Sequence, residues 1–106
     1  MLEDRFSYES FARSDNAALA TELSLELTRR LRSSPSPAHE CYAIVDELRQ
    51  LGHDLSSFDE SDDFQIWCAD WTKPPRPFEL LLELHYAEGE PPSALTVFRP
   101  TDRESG

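Results

Sequence analysis

The segment Phe78-Glu-Leu-Leu-Leu-Glu-Leu-His-Tyr86 alternates apolar and polar side chains with little interruption. Phe78, Leu80, Leu82, Leu84 and Tyr86 take one face, and Glu79, Leu81, Glu83 and His85 take the other. A period of two with one apolar side predicts a half-buried β-strand. Just upstream, Phe64-Gln-Ile-Trp-Cys-Ala-Asp-Trp71 has strand character with apolar groups on both faces. Downstream, Ala94 to Arg99 gives a third strand, and residues 54–58 are candidates for a short fourth. The connections 72–77 and 87–93 are Pro-rich and of hairpin length, so the strands are expected to form an antiparallel meander. A simple hairpin then sets Trp71 opposite Phe78, Ala69 opposite Leu80 and Trp67 opposite Leu82, all on one face. Asp70 lies opposite Glu79, and Ile66 opposite Glu83, on the other.

Towards the N-terminus the period changes to that of a helix. Leu19, Leu23, Leu27 and Leu31, flanked by Ala20, form one apolar stripe over residues 16–32. Ser14 or Asp15 is placed to cap its start, and Arg29, Arg30 and Arg32 complement the dipole at its end. A second helix is expected over residues 37–51, with Ser36 as N-cap and Pro37 at the first helical position. Cys41, Ile44, Val45, Leu48 and Leu51 form its stripe, and Gly52 supplies a left-handed stop. Residues 1–13, with Phe6, Tyr8 and Phe11, read either as a short edge strand or as an irregular arm, and the tail 100–106 as frayed. The whole, 1–106, reads as one α+β domain: two N-terminal helices on one face of a three- to four-stranded antiparallel sheet.

Charge is the unusual property. Twenty-one Asp and Glu against ten Lys and Arg give a net charge of −11. Residues 1–53 hold nine acids and six bases, whereas residues 54–106 hold twelve acids and four bases. The sheet-forming half therefore carries most of the excess. Such a field repels nucleic acid and anionic lipid and attracts basic surfaces, so direct nucleic-acid binding is not expected. A single Lys among nine Arg, with eight Pro, points to a GC-rich bacterial genome. Cys41 and Cys68 are far apart, and a chain of this size needs no disulfide, so a reducing, cytoplasmic setting is expected. No apolar run reaches the ~18 residues of a membrane span, and the N-terminal residues lack a signal peptide's regions.

Chemistry has few footholds in this sequence. Gly52, Gly89 and Gly106 are the only glycines, which leaves no phosphate-binding loop, and no His/Cys spacing suits zinc. Phe58-Asp-Glu-Ser-Asp-Asp-Phe64 concentrates four carboxylates, but it lacks the glycine and bidentate Glu of a calcium loop. No metal or cofactor is expected. A Cys68–His85 pair across strands is conceivable, yet nearby carboxylates would raise the thiol's pKa and blunt it. His53, just past a helix C-terminus, is positioned as a charged cap.

These features favour binding over catalysis. Size, acidity and lack of catalytic apparatus resemble, as a class, the immunity proteins of bacterial toxins and phage-encoded inhibitors; no motif carries the resemblance. It implies a basic protein partner, such as a toxin or nuclease, met by a monomer or homodimer. The expected contact residues are Asp59, Glu60, Asp62, Asp63, Asp70, Glu79 and Glu83 for charge. Ile66, Leu81 and Phe98 are the expected apolar anchors. Two alternatives are a type III-like secretion chaperone holding an effector segment and a small enzyme using carboxylates or Cys68 with His85.

Overall fold

Alternation in the second half of the chain produces a sheet in strict chain order. The computed structural model describes residues 2–13, 17–71 and 78–100. Four strands, β1 (Ser56–Glu60), β2 (Phe64–Trp71), β3 (Phe78–His85) and β4 (Ser93–Pro100), form an antiparallel meander β1-β2-β3-β4. The β2–β3 register is the one expected: Trp71 faces Phe78, Ala69 faces Leu80, Trp67 faces Leu82, Asp70 faces Glu79 and Ile66 faces Glu83. Trp67, Ala69, Leu80, Leu82 and Leu84 are buried under the helices. The fold is α+β.

Two long helices cover that face. In α2 (Ala17–Ser33), Ala20, Leu23, Leu27 and Leu31 are buried; in α3 (Pro37–Gln50), Cys41, Ile44, Val45 and Leu48 are. Pro37 opens α3 and Gly52, at φ 102°, follows its end in the left-handed region that favours glycine. Ser36 occupies the N-cap position, but its side chain makes no capping bond. The proposed caps of α2, Ser14 and Asp15, lie outside the described residues, as do the loop 72–77 and the tail beyond Pro100.

The N-terminal segment corrects both expectations made for it. Residues 4–6 form a 3₁₀ turn, and Tyr8–Arg13 form a short helix, α1. Tyr8, Phe11 and Ala12 are spaced for one helical face, and all three are buried. The Ser10 amide donates to Ser7 Oγ at 3.2 Å, capping the helix start. His53 is corrected with it. Rather than a solvated cationic cap, its ring is 1% exposed, edge-on to Phe11 at 5.5 Å. Nε2–H donates to the Phe6 carbonyl at 2.8 Å, leaving Nδ1 a buried acceptor with no partner among the described residues. Burial pushes the imidazole down to about 4, so it is neutral at pH 7.

Polar contacts fasten the layers together. The guanidinium of Arg30 reaches from α2 to Glu40 (2.6 Å) and Glu47 (2.7 Å) on α3. Glu47 also accepts the Leu2 amide at 2.8 Å. Burial tends to raise the Glu47 carboxyl, but Arg30 and that amide outweigh it and hold it below the usual range. At the β4 edge, Thr28 Oγ1 takes the Ala94 amide (2.9 Å) and donates to its carbonyl (3.2 Å). Ser24 Oγ takes the Thr96 amide at 2.8 Å, and Thr96 Oγ1 donates to the Ala20 carbonyl at 2.6 Å. The hydroxyls of α2 thereby satisfy the outward-facing backbone of a strand that would otherwise be an open edge. Strand β1, at the other edge, is exposed along all five residues.

Candidate functional site

Two surfaces were singled out by the sequence: the acidic β1–β2 segment and the outer face of the sheet. The structure treats them differently.

On the outer face, Ile66, Cys68, Leu81 and Val97 are half-buried in the middle and Leu95 is 49% exposed. Glu79 and Glu83 among them have partners within the chain. Arg99 on β4 sits opposite Glu79 and forms a short ion pair with it, and the Cys68 thiol donates to Glu79 Oε2 at 3.4 Å. Arg99 first, and Cys68 second, hold the Glu79 carboxyl below its ordinary value. Glu83 meets His85 Nε2 at 3.2 Å. The side chain of Asp70 lies outside what the structure describes. Phe98 is a correction. It lies opposite Leu80, on the helix-covered face, and stacks on Phe11 with ring centroids 6.0 Å apart. Its assignment as an outer anchor rested on the β4 register, and a change of one residue in register exchanges the faces.

Cys68 and His85 do not form a pair. Cys68 is opposite Leu81 and His85 opposite Phe64, so four residues of β2, roughly 13 Å of strand, separate their levels. Cys41 is fully buried, and burial, with Glu40 nearby, pushes its thiol up to about 12. Among the described residues, no three His, Cys, Asp or Glu side chains are grouped to hold a metal ion. No described helix is long and apolar enough to cross a membrane.

The β1–β2 hairpin is built on a tight turn, with Asp62 and Asp63 at its tip. The Ser61 amide donates to the Phe64 carbonyl (2.9 Å) and the Asp63 amide to Ser61 Oγ (3.0 Å). Tyr86, just past β3, fastens this tip by donating its amide to the Asp63 carbonyl at 2.8 Å. A bulge between Ser57 and Asp59 leaves Phe58 unpaired and 73% exposed and sets which of the two following acids takes which face. Asp59 faces Ile66 on the outer side, while Glu60 faces Gln65 on the helix side. There the Tyr42 hydroxyl donates to Glu60 Oε2 at 2.7 Å, and the carboxylate in turn raises the pKa of that hydroxyl.

None of the four hairpin carboxylates has a basic partner among the described residues. Every described arginine is occupied elsewhere. Arg5, Arg13, Arg29, Arg30 and Arg99 hold other acids. Arg32 donates to the Pro92 carbonyl, and Arg49 donates to the Leu55 carbonyl. Lys73, Arg76 and Arg103 lie outside the described residues.

Sequence reasoning missed the aromatic side of this hairpin. A groove of about 290 Å³ runs between the first turns of α3 and the hairpin, lined by His39, Tyr42, Glu60, Asp62, Gln65 and Tyr86, among others. The signal for Tyr42 was present. It lies beside Cys41 but off the stripe of Ile44, Val45 and Leu48, which predicts an aromatic ring on the polar face of α3. A second cavity of about 370 Å³ at the α2–α3 turn is lined by Arg29, Arg30 and Glu40, already tied in ion pairs. Comparison with protein-family models, curated proteins and solved structures finds no match to this chain.

Proposed function

We propose that the protein acts by binding a basic protein, presenting its β1–β2 hairpin to a positively charged surface and blocking it. The best fit is an inhibitor of the immunity-protein kind, with a toxin or nucleic-acid-binding enzyme as target. One observation carries this reading: among the described residues the hairpin acids have no basic partner, while the described arginines are spent elsewhere. Internal pairing cancels such a field; with none among the described residues, Asp59, Glu60, Asp62 and Asp63 are free to attract an external cation. Phe58 adds exposed aromatic area beside the charges, and aromatic residues are enriched at interface centres. Glu79 is paired with Arg99 within the outer face and contributes less.

The test is affinity capture by the wild-type chain and by the variant Asp59→Asn/Glu60→Gln/Asp62→Asn/Asp63→Asn. A basic protein held by the wild type at low salt, released at high salt and not held by the variant is the expected result. Equal retention by both chains would refute the assignment of the hairpin. The outer face supports a second reading, the chaperone of an effector segment, because Leu95, Val97, Leu81 and Ile66 form an uncovered apolar strip. Such chaperones are usually dimeric, and a monomeric mass by light scattering would argue strongly against that reading.

A further inference from the structure

We infer that the groove between α3 and the β1–β2 hairpin is a socket for one arginine side chain of the partner. The inference rests on the basic-partner reading and sharpens it to a single contact. The groove brings together two kinds of wall from separate elements. Tyr42 from α3 and Tyr86 from the end of β3 supply aromatic surface; Glu60 and Asp62 from the hairpin supply negative charge. Tyr42 is 48% exposed, so its ring is not committed to the core, although its edge contact with Trp67 at 6.4 Å fixes its position.

The arrangement is set before any ligand arrives. The Tyr42 hydroxyl holds Glu60 Oε2, and Oε1 has no hydrogen-bond partner among the described residues. Tyr86 holds the turn through Asp63 and Ser61. Gln65, 2% exposed, lines the groove with its Oε1 already taken by Trp67 Nε1 at 2.9 Å. A preformed site of this kind loses little conformational freedom on binding.

The chemistry selects a guanidinium. Its flat face lies on an aromatic ring while its edge donates in-plane hydrogen bonds to carboxylate oxygens, so it uses both walls at once. An ammonium is a strongly hydrated point charge with no flat face to stack on a ring. A phosphate or carboxylate is repelled by Glu60 and Asp62.

Two peptides of equal charge test this on the full chain. One carries three lysines in a Gly/Ser background; in the other the central lysine is replaced by arginine. Binding is followed by amide shifts in NMR titration. The arginine peptide is expected to bind about fivefold tighter, the size of one exposed cation–π contact, and to shift Tyr42, Glu60 and Tyr86. That preference is expected to vanish in Tyr42→Ala and in Glu60→Gln/Asp62→Asn, both changes at exposed positions whose folding the same spectra report. Equal binding of the two peptides, or shifts confined to Phe58 and Asp63, would overturn the socket and leave the basic-partner reading standing. No binding of either peptide would overturn both.

Discussion

The helical layer and the β1–β2 hairpin use charge in opposite ways. Between α2 and α3, Arg30 is 20% exposed and bonded to both Glu40 and Glu47, which are about as buried as it is. At the hairpin, four carboxylates are exposed and none has a basic partner among the described residues. A buried charge must find its partner inside the fold, because desolvating it alone is costly. A solvated charge needs no partner, and where it is left without one its field extends outward over about a Debye length. The difference separates acids that hold the fold from acids available to something else. It also shows why a net charge of −11 is by itself a poor guide to function.

That contrast can be broken at either end. Leu27→Ala removes a fully buried side chain from the helical layer and should cost about 2–5 kcal/mol in chemical denaturation. The folded fraction should still associate with the partner at the wild-type rate. His53 gives the next largest effect, through pH. Its folded value of about 4 lies below the unfolded value near 6.5, so the unfolded chain binds the extra proton first. The stability it contributes is complete above pH 6.5 and is lost as pH falls to about 4, a change of about 3 kcal/mol. His53→Gln, which keeps a donor for the Phe6 carbonyl, should flatten that part of the stability–pH curve. An unchanged slope would mean that the ring is not buried neutral.

Arg30→Met should cost about 2 kcal/mol, because Glu40 and Glu47 would lose their charged partner in a partly buried site. Denaturant midpoints measure it, and a neutral outcome would dissolve the distinction between the two regions. The hairpin variant Asp59→Asn/Glu60→Gln/Asp62→Asn/Asp63→Asn should change stability least, within about 0.5 kcal/mol, since these side chains bear little of the fold.

The sequence made the sheet legible because its strands state their own faces. In β3 every second residue from Phe78 to Leu84 is apolar, and the short connection to β2 leaves one sensible register. The leucine stripe of α2 and the Pro37 and Gly52 boundaries of α3 were equally plain. Phe98 failed for lack of such a constraint. β4 carries apolar residues on both faces, Leu95 and Val97 on one and Ala94 and Phe98 on the other, so its alternation does not say which side meets the helices. The first thirteen residues failed differently. Phe6, Tyr8 and Phe11 read as an edge strand or an irregular arm, and the short helix that forms there, packed through Phe11 against His53 and Phe98, was neither. Of the candidate site, the hairpin acids were legible as a run of charge. Their lack of a basic partner among the described residues was not, because Arg99 and Arg30 choose their acids through contacts distant in sequence.

The most direct test is the association rate of the captured basic partner with the four-acid hairpin variant, measured by stopped flow across a range of ionic strength. Slowing of about tenfold or more at low salt, with a flattened salt dependence and unchanged stability, is the expected result. Wild-type rates with wild-type salt dependence would contradict the account, and the unpaired acids of the hairpin would then serve solvation alone.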